Sequence, residues 1–215
     1  GIVVFPGSNC DNDLFRAFEK QKLYEVIFLW HKDTDLPKDL DLCAIPGGFS
    51  FGDYLRTGAI ASKSPIINSI IKFANSGRFV LGICNGFQIL CETGLLPGVL
   101  IRNKSTKFVC KNQMLKVCNS NTSFSKLYNE NEEVNFPIAH HDGNYFVNNE
   151  TKKMIYDNNQ IAFKYYGNNP NGSVDNIAGV YSKNHRILGL MPHPERRVTS
   201  EIGLDGERLF RSLNI

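Results

Sequence analysis

One cysteine of this chain lies between two glycines, where a strand-like run of residues gives way to a helix-like one. The apolar residues 79–81 end at Gly82, Cys84 follows, and beyond Gly86 the apolar residues recur at helical spacing. This Gly-x-Cys-x-Gly arrangement is typical of a nucleophile elbow, with cysteine in the place of serine. Because glycine has no Cβ, the chain can turn sharply and hold the middle residue in a strained conformation. The pattern predicts a nucleophile at Cys84, and the alternative is a buried structural cysteine in a tight turn.

The helix that is expected to follow Cys84 would also activate its thiol. The first N–H groups of a helix have no partner within the helix and lie at the positive end of its dipole. Directed at the sulfur, they favour the thiolate, which is the nucleophilic form of cysteine.

A base for this thiol is found roughly a hundred residues further on, in the sequence Met-Pro-His-Pro-Glu that begins at Met191. Proline favours extended geometry in the residue before it, and residues two apart in an extended chain project to the same side. We therefore expect the Glu195 carboxylate to hold one ring nitrogen of His193 while the other nitrogen faces Cys84. The alternative for His193 is a hydrogen-bonded surface or core histidine.

The glycine-rich segment 45–53 (IPGGFSFGD) predicts an oxyanion hole. It lacks the Lys-Ser/Thr of a phosphate-binding loop and does not open a helix with Gly-x-Gly-x-x-Gly. Attack of a thiolate on a carboxamide places negative charge on the carbonyl oxygen, which backbone N–H groups can stabilise. We expect one donor from Asn85, directly after the nucleophile, and one from Gly48, where the absence of a side chain permits close approach. A plain strand-to-loop turn is the alternative.

Composition excludes several classes of protein. A chain of 215 residues and 24.2 kDa suits a single domain spanning 1–215. The net charge of +3 is dispersed, without basic runs and interleaved aromatics, so nucleic acid is not an expected partner. No apolar stretch reaches membrane-spanning length, and residues 1–5 have the pattern of a buried strand and not of a signal peptide. Six cysteines without a Cys-x-x-Cys pair indicate reduced thiols, no bound metal and a cytoplasmic location.

Alternating strand and helix patterns predict an α/β fold with an open, mostly parallel sheet, helices on both faces and an antiparallel extension. Ligands of such sheets bind at the carboxyl ends of the strands, where both the elbow and the glycine-rich segment fall. The predicted strands are residues 2–5, 25–30, 41–45, 79–83, 108–110, 115–118, 134–139, 161–166, 177–181 and 187–191. The predicted helices are residues 12–20 with Asp11 as N-cap, 58–75, 88–93 with Gly94 at its end, and 204–213.

These motifs resemble the class I, or triad, glutamine amidotransferases. The resemblance is carried by the sequence Gly-Ile-Cys-Asn-Gly-Phe-Gln from Gly82 and by the later His-Pro-Glu. The segments 6–11 (PGSNCD), 46–61 (PGGFSFGDYLRTGAIA) and 137–140 (PIAH) are more specific and are similar to the glutaminase subunits that serve de novo purine biosynthesis. The resemblance covers nearly the whole chain. It implies a flavodoxin-like sheet, a glutamyl thioester on Cys84, His193 as base and Glu195 as the group that orients it.

The resemblance also implies a substrate and partners. L-glutamine would be held by Gln88, Phe49 and His140. ATP, Mg²⁺ and formylglycinamide ribonucleotide would bind a separate, large formylglycinamidine ribonucleotide synthetase subunit, joined by a small bridging subunit, and this chain would hold no cofactor. Five exposed motif residues exceed what a hydrolase needs and are expected to face that partner: Ser8, Asn9, Asp53, Tyr54 and Arg56. The alternative for each is a solvated loop position that caps a helix.

One loop departs from the family pattern. After His140 the family usually has Gly-Glu-Gly, whereas this chain has His141-Asp142-Gly143. The corresponding loop contacts the amino-acid end of glutamine, so these contacts are expected to differ in detail here.

Other functions are compatible with parts of the pattern. A glutaminase could serve another synthetase, and a cysteine peptidase or a DJ-1-like stress protein could share the elbow and the sheet. The last two do not account for His-Pro-Glu together with the glycine-rich segment. A non-catalytic binding subunit would not need an intact Cys84, His193 and Glu195. Release of ammonia from glutamine distinguishes the glutaminases from the other classes.

Overall fold

The computed structural model describes residues 1–213, in which a nine-stranded sheet and a two-stranded ribbon are flanked by helices. The strands are β1 (Ile2–Val4), β2 (Phe28–Trp30), β3 (Leu42–Ile45), β4 (Phe79–Ile83), β5 (Val99–Ile101), β6 (Val109–Val117), β7 (Glu133–His140), β8 (Asn144–Phe146), β9 (Ile161–Tyr165), β10 (Ile177–Tyr181) and β11 (Ile187–Leu190). The α-helices are α1 (Asp11–Glu19), α2 (Pro65–Asn75), α3 (Asn85–Glu92), α4 (Asn149–Asp157) and α5 (Glu207–Ser212). Each helix of this part of the chain is too short or too polar to span a bilayer.

The large sheet has two halves that differ in strand direction. Its order is β2-β1-β3-β4-β11-β10-β9-β6-β7. The first five strands run parallel to one another, and the remaining four pair in antiparallel fashion. The order of the parallel half is that of flavodoxin-like sheets. The predicted fold class, a flavodoxin-like α/β sheet with an antiparallel extension, is confirmed.

Burial explains why the two halves differ in sequence. Every residue of β3, β4 and β11 is buried, as expected for parallel strands covered on both faces. Helix α2 covers one face with Ile66, Ile67 and Ile70. In contrast, β7 alternates between buried and more exposed residues, because only one of its faces packs on the core.

Several predicted elements have different boundaries, and the strand predicted over residues 25–30 is only the three residues of β2. The strands predicted at residues 108–110 and 115–118 are one strand, β6, since the polar residues between them continue the ladder with β7. The helix predicted over residues 58–75 is a short 3₁₀ turn at Ala61–Lys63 followed by α2. The helix is interrupted because Pro65 disfavours helical geometry in the preceding Ser64, whose backbone is extended.

The cap of α1 was also predicted wrongly. Asp11 is the first residue of the helix, and Cys10 occupies the cap position without a capping side-chain hydrogen bond. The Cys10 N–H donates instead to the Gly47 carbonyl at 3.2 Å, which ties this loop to the glycine-rich segment. Gly94 follows α3 with φ +74°, in the left-handed conformation expected of a residue that ends a helix.

Three elements were not predicted, namely β5, β8 and α4. The first two strands are three residues each and pair only with one another. Helix α4 buries Ile155 alone, so its apolar stripe is too weak to be recognised from the sequence. The predicted closing helix is shorter than expected, and α5 begins only at Glu207.

Removal of a core side chain from the antiparallel half of the sheet should strongly destabilise the fold. Phe163 on β9 is fully buried and its ring lies 5.8 Å from that of Phe136. Phe163→Ala should lower the free energy of unfolding by about 3–5 kcal/mol, since it removes a large buried side chain and leaves a cavity. Phe146→Ala is the control, because Phe146 is 54% exposed, and should change it by less than about 0.5 kcal/mol. Urea unfolding of both variants measures the difference, and equal effects would contradict this core.

Candidate active site

Cys84 lies in the turn between β4 and α3 in a strained backbone conformation. Its φ of 51° and ψ of −104° are unusual for a residue with a side chain. The flanking glycines make the turn possible: a Cβ on Gly86 would lie 2.1 Å from the Ile45 carbonyl oxygen, and one on Gly82 would lie 2.8 Å from the Gly86 carbonyl. The strand–turn–helix geometry predicted for the elbow is therefore present.

His193 and Glu195 form a buried hydrogen-bonded pair. His193 Nδ1 lies 2.6 Å from Glu195 Oε1, and both side chains are 1% exposed. The contact was predicted, but the backbone between the two residues is not extended as expected. Residues Pro194–Arg196 form a 3₁₀ turn, because the fixed φ of proline suits the first position of a helical turn. This turn brings the Glu195 carboxylate back within hydrogen-bond distance of the His193 imidazole.

Parallel pairing of β4 with β11 brings the cysteine and the histidine together. Ile83 lies opposite Leu190, and the Cys84 N–H donates to the Leu190 carbonyl at 2.8 Å. A Cβ on Gly47 would lie 2.8 Å from His193 Cε1 and 3.4 Å from Cys84 Cβ. The imidazole and the cysteine thus border one small space that Gly47 leaves open. Within residues 1–213, His193 Nε2 is buried without a hydrogen-bond partner, so it is available to the thiol and to substrate.

The surroundings of His193 favour its protonated form. Burial alone would lower the pKa of His193, but the Glu195 carboxylate, and then Cys84 and Cys10, raise this pKa well above its ordinary value. A protonated imidazole beside Cys84 stabilises the thiolate. His140 on β7 behaves in the opposite way, since burial and then the nearby His193 lower the pKa of His140 to about 3. His140 is therefore neutral near pH 7.

Within residues 1–213, the backbone N–H groups of Gly48 and Asn85 are free of the hydrogen bonds that surround them, and their role as an oxyanion hole stays a prediction. Ser8 and Gly48 lie opposite each other as an isolated antiparallel pair. The hydrogen bonds of this pair are made by the neighbouring residues, such as the one from the Phe49 N–H to the Gly7 carbonyl at 2.9 Å. The Gly48 N–H then points away from Ser8. Gly48 has φ +146°, and a Cβ there would lie 2.7 Å from the Gly7 carbonyl oxygen. Asn85 begins α3, so its N–H has no partner inside the helix.

The three residues predicted to bind substrate lie in different surroundings. Gln88 is buried, donates from Nε2 to the Asp142 carbonyl at 2.7 Å and accepts from Asn85 Nδ2 at 2.9 Å. His140 is buried, with Nε2 at 3.0 Å from Asn171 Nδ2. Phe49 is 44% exposed. Gln88 and His140 thus fix the walls of the site, and the direct contact of all three with glutamine stays a prediction.

A groove with a volume of about 580 Å³ lies between the glycine-rich segment, β5 and the loop after β7, and neither Cys84 nor His193 lines it. Asp53 and Asp142 are two of its lining residues, and burial, followed by the charge of Asp142, raises the pKa of Asp53 to about 6. Asp142 is paired with Arg102 at 3.0 Å. The lining carries charges of both signs, because Arg56 and Arg102 belong to it as well. Sequence reasoning had placed Asp53 only on a partner-facing surface.

The other residues expected to face a partner differ in exposure. Tyr54 is 73% exposed, whereas Arg56 forms an ion pair with Glu92 at 2.5 Å. The neighbouring Leu55 is 95% exposed and has φ +69°. Contact of this surface with a partner stays a prediction.

Sequence reasoning missed the position of Cys10 beside the catalytic pair. Ligand atoms of Cys10, His193 and Glu195 lie within 4.8 Å of one another. The Arg196 Nη2 donates to the Cys10 sulfur at 3.0 Å, and this cation opposes the binding of a metal ion there. The motif PGSNCD had singled out the segment, but no sequence signal places its cysteine against the histidine.

Comparison with known proteins agrees with this geometry. Residues 1–202 match the family of CobB/CobQ-like glutamine amidotransferase domains. The phosphoribosylformylglycinamidine synthase subunit PurQ of a Ruegeria species is 51% identical over 99% of this chain and 96% of its own length. The structure of PurLQS from Thermotoga maritima is similar with a TM-score of 0.90 and 41% identity, over 99% of this chain and 95% of that one. A glutamine amidotransferase of known structure, also from Thermotoga maritima, has 16% identity and a TM-score of 0.64 over 99% of this chain and 94% of its own, and shows the fold alone.

The fold and these matches define a class I glutamine amidotransferase, and the resemblance inferred from the motifs is confirmed. Within that class, the chain belongs to the family of PurQ subunits of phosphoribosylformylglycinamidine synthase.

The space at Gly47 provides a test of the site geometry. In Gly47→Ala the new methyl group would lie 2.8 Å from His193 Cε1, which is a collision, and 3.2 Å from Cys10 Sγ, which is a tight contact. Displacement of the imidazole should reduce kcat/KM for glutamine by about 100-fold, as expected for misplacement on the order of 1 Å. Gly77→Ala is the control, since nothing lies within 4 Å of its Cβ position; its φ of +83° costs some stability, but the folded variant should keep its kcat/KM. Steady-state ammonia release measures both variants. Full activity of Gly47→Ala would contradict the described contact.

Proposed function

We propose that Cys84 attacks the side-chain amide of L-glutamine, that His193 acts as general base and acid, and that Glu195 orients His193. The observation that carries the proposal is the common space bordered by the strained cysteine and the buried imidazole. A nucleophile, a base and a group that holds the base are the three parts that acyl transfer through cysteine requires.

The chain acts as the glutaminase subunit of phosphoribosylformylglycinamidine synthase. Its PurQ relatives bear the name of that enzyme, and its structural neighbour is part of a PurLQS assembly. In this role it supplies ammonia to a separate synthetase chain, which converts formylglycinamide ribonucleotide to the amidine. Its partners are L-glutamine, the small PurS subunit and the large PurL synthetase subunit.

The first half of the reaction forms a thioester. The Cys84 thiolate adds to the amide carbon, and the N–H groups of Gly48 and Asn85 stabilise the oxyanion. Protonated His193 delivers its proton from Nε2 to the leaving nitrogen, so ammonia departs and a glutamyl thioester remains on Cys84. The neutral imidazole that results keeps its Nδ1–H on the Glu195 carboxylate.

The second half regenerates the enzyme. Neutral His193 removes a proton from a water molecule, which adds to the thioester carbon. The same two N–H groups stabilise the second oxyanion. Its collapse breaks the carbon–sulfur bond, releases glutamate and leaves the Cys84 thiolate beside protonated His193, as at the start.

We assign no cofactor and no metal to this chain and place it in the cytoplasm. ATP and Mg²⁺ act on the synthetase subunit, where the ribonucleotide is activated. The basic Arg196 against the Cys10 sulfur supports the absence of a metal at the Cys10, His193 and Glu195 cluster.

The peptidase and stress-protein alternatives are set aside by the family match over residues 1–202. Service to a synthetase of another pathway is disfavoured by the 51% identity over nearly the whole length of a PurQ subunit.

Replacement of Cys84 should abolish glutamine-dependent amidine formation by the assembled enzyme and leave ammonia-dependent amidine formation intact. In a complex of Cys84→Ala with the synthetase subunits, amidine formation from glutamine should fall to background, because no thioester forms. Formation from an added ammonium salt should persist, because the synthetase then receives ammonia directly. Product formation with each nitrogen source measures both. Cys43→Ala, at a buried position in β3, is the matched control. Glutamine-dependent synthesis by Cys84→Ala would reject the mechanism.

Replacement of the orienting carboxylate should change the pH dependence. The Glu195 carboxylate raises the pKa of His193, so Glu195→Gln should lower that pKa. The active form pairs a thiolate with a protonated imidazole, and loss of that proton at a lower pH should move the alkaline limb of kcat/KM to lower pH. The turnover number should fall roughly 10²–10⁴-fold. Rates of ammonia release across pH give both quantities, and an unmoved alkaline limb would contradict the assigned role.

A further inference from the structure

We propose that Cys10 is a positioning residue, whose sulfur holds the imidazole of His193 in the orientation that faces Cys84. The proposal rests on the proposed roles of Cys84 and His193. In this proposal Cys10 acts only through His193 and does not take part in the bond-making or bond-breaking steps.

Geometry places the Cys10 sulfur against the ring. The Cβ position of Gly47 lies 3.2 Å from Cys10 Sγ and 2.8 Å from His193 Cε1. The sulfur also belongs to the group of atoms within 4.8 Å of one another that includes a Glu195 carboxylate oxygen and a His193 nitrogen. Cys10 is 2% exposed, so solvent does not separate it from the ring. It therefore limits movement of the imidazole on the side where Glu195 binds.

Cys10 is itself fixed from two directions. Its sulfur accepts a hydrogen bond from Arg196 Nη2 at 3.0 Å, and Arg196 Nε donates to Asp13 Oδ2 at 3.1 Å. Its thiol donates to Asn9 Oδ1 at 3.0 Å. Arg196 belongs to the same 3₁₀ turn as Glu195, whereas Asp13 belongs to α1. The sulfur thus joins the start of α1 to the turn that carries the catalytic pair.

The segment that carries Cys10 also supports the oxyanion hole. The N–H groups of Asn9 and Cys10 both donate to the Gly47 carbonyl, at 3.4 and 3.2 Å, and Ser8 bridges Gly48. One loop therefore sets the distance between the oxyanion donor and the base.

Four titratable groups face His193. They are Glu195 on its own turn, Cys84 at the elbow, Cys10 before α1, and His140 on β7. Burial would lower the pKa of His193, and Glu195, Cys84 and Cys10 oppose this in that order. His140 has a pKa of about 3 and stays neutral over the range of an activity profile, so it does not contribute to changes there.

The test compares variants at Cys10 in the full chain assembled with its synthetase subunits. In Cys10→Ala the imidazole should lose its support, and kcat for glutamine should fall about tenfold with KM little changed. The alkaline limb should move to lower pH, because Cys10 is one of the groups that raise the pKa of His193. Cys10→Ser should restore much of the activity and of the profile, since a hydroxyl also accepts from Arg196. Cys43→Ala removes an equally buried sulfur in β3 and should leave both unchanged.

A second readout follows Cys84 directly. The rate at which iodoacetamide alkylates Cys84, measured on its peptide by mass spectrometry, should fall at pH 7 in Cys10→Ala, because less protonated His193 means less thiolate. If Cys10→Ala does not fold, Cys10→Val keeps the volume without the polar contact and should show the same losses. Wild-type profiles and alkylation rates in the folded alanine or valine variant would overturn the proposal. Failure of the glutaminase mechanism would appear separately, as glutamine-dependent activity in Cys84→Ala.

Discussion

The parallel pairing of β4 with β11 is the interaction on which the site depends. The two strands are far apart in sequence, yet their register places Ile83 opposite Leu190, so the chain leaves both strands at the same edge of the sheet. A slip of one residue would reverse the faces to which the side chains point. The hydrogen bond from the Cys84 N–H to the Leu190 carbonyl continues the ladder to the elbow itself. The position of Cys84 relative to His193 is therefore set by the sheet.

Close backbone contacts then adjust what the sheet has brought together. At Gly47, Gly48, Gly82 and Gly86, a Cβ would stand within 2.8 Å of another atom. Two of these glycines admit the sharp turn at Cys84, and the other two bring the 45–53 segment against the thiol and the imidazole. The conformational freedom of glycine does not explain the need for Gly47, because the φ of Gly47 is not in the left-handed region. Glycine is needed there because a side chain would collide with His193. The compact site results from four missing side chains.

The sequence allowed the parallel sheet, the elbow and the His193–Glu195 contact to be predicted, because each depends on local periodicity or on short spacing. Prediction failed where long-range packing decides. The strand β6 continues through polar residues because β7 supplies its hydrogen bonds, and α4 forms with only Ile155 buried. The contact of Glu195 with His193 was right while its backbone geometry was wrong, since Pro194 begins a 3₁₀ turn. Cys10 and Asp53 contact residues that are distant in sequence. Such contacts could not be predicted from residue spacing along the chain.

The near-complete burial of His193 and Glu195 has a consequence for the traffic of hydrogen ions. Because Nδ1 of the imidazole is hydrogen-bonded to Glu195 and Nε2 is buried, both ring nitrogens are kept from bulk solvent within residues 1–213. In the proposed mechanism, bound glutamine also covers Nε2. The proposal therefore implies that the hydrogen ion on the imidazole leaves with the departing nitrogen and is replaced by one from the attacking water molecule. The buried pair would then exchange hydrogen ions only with glutamine and the attacking water molecule, and not with bulk solvent.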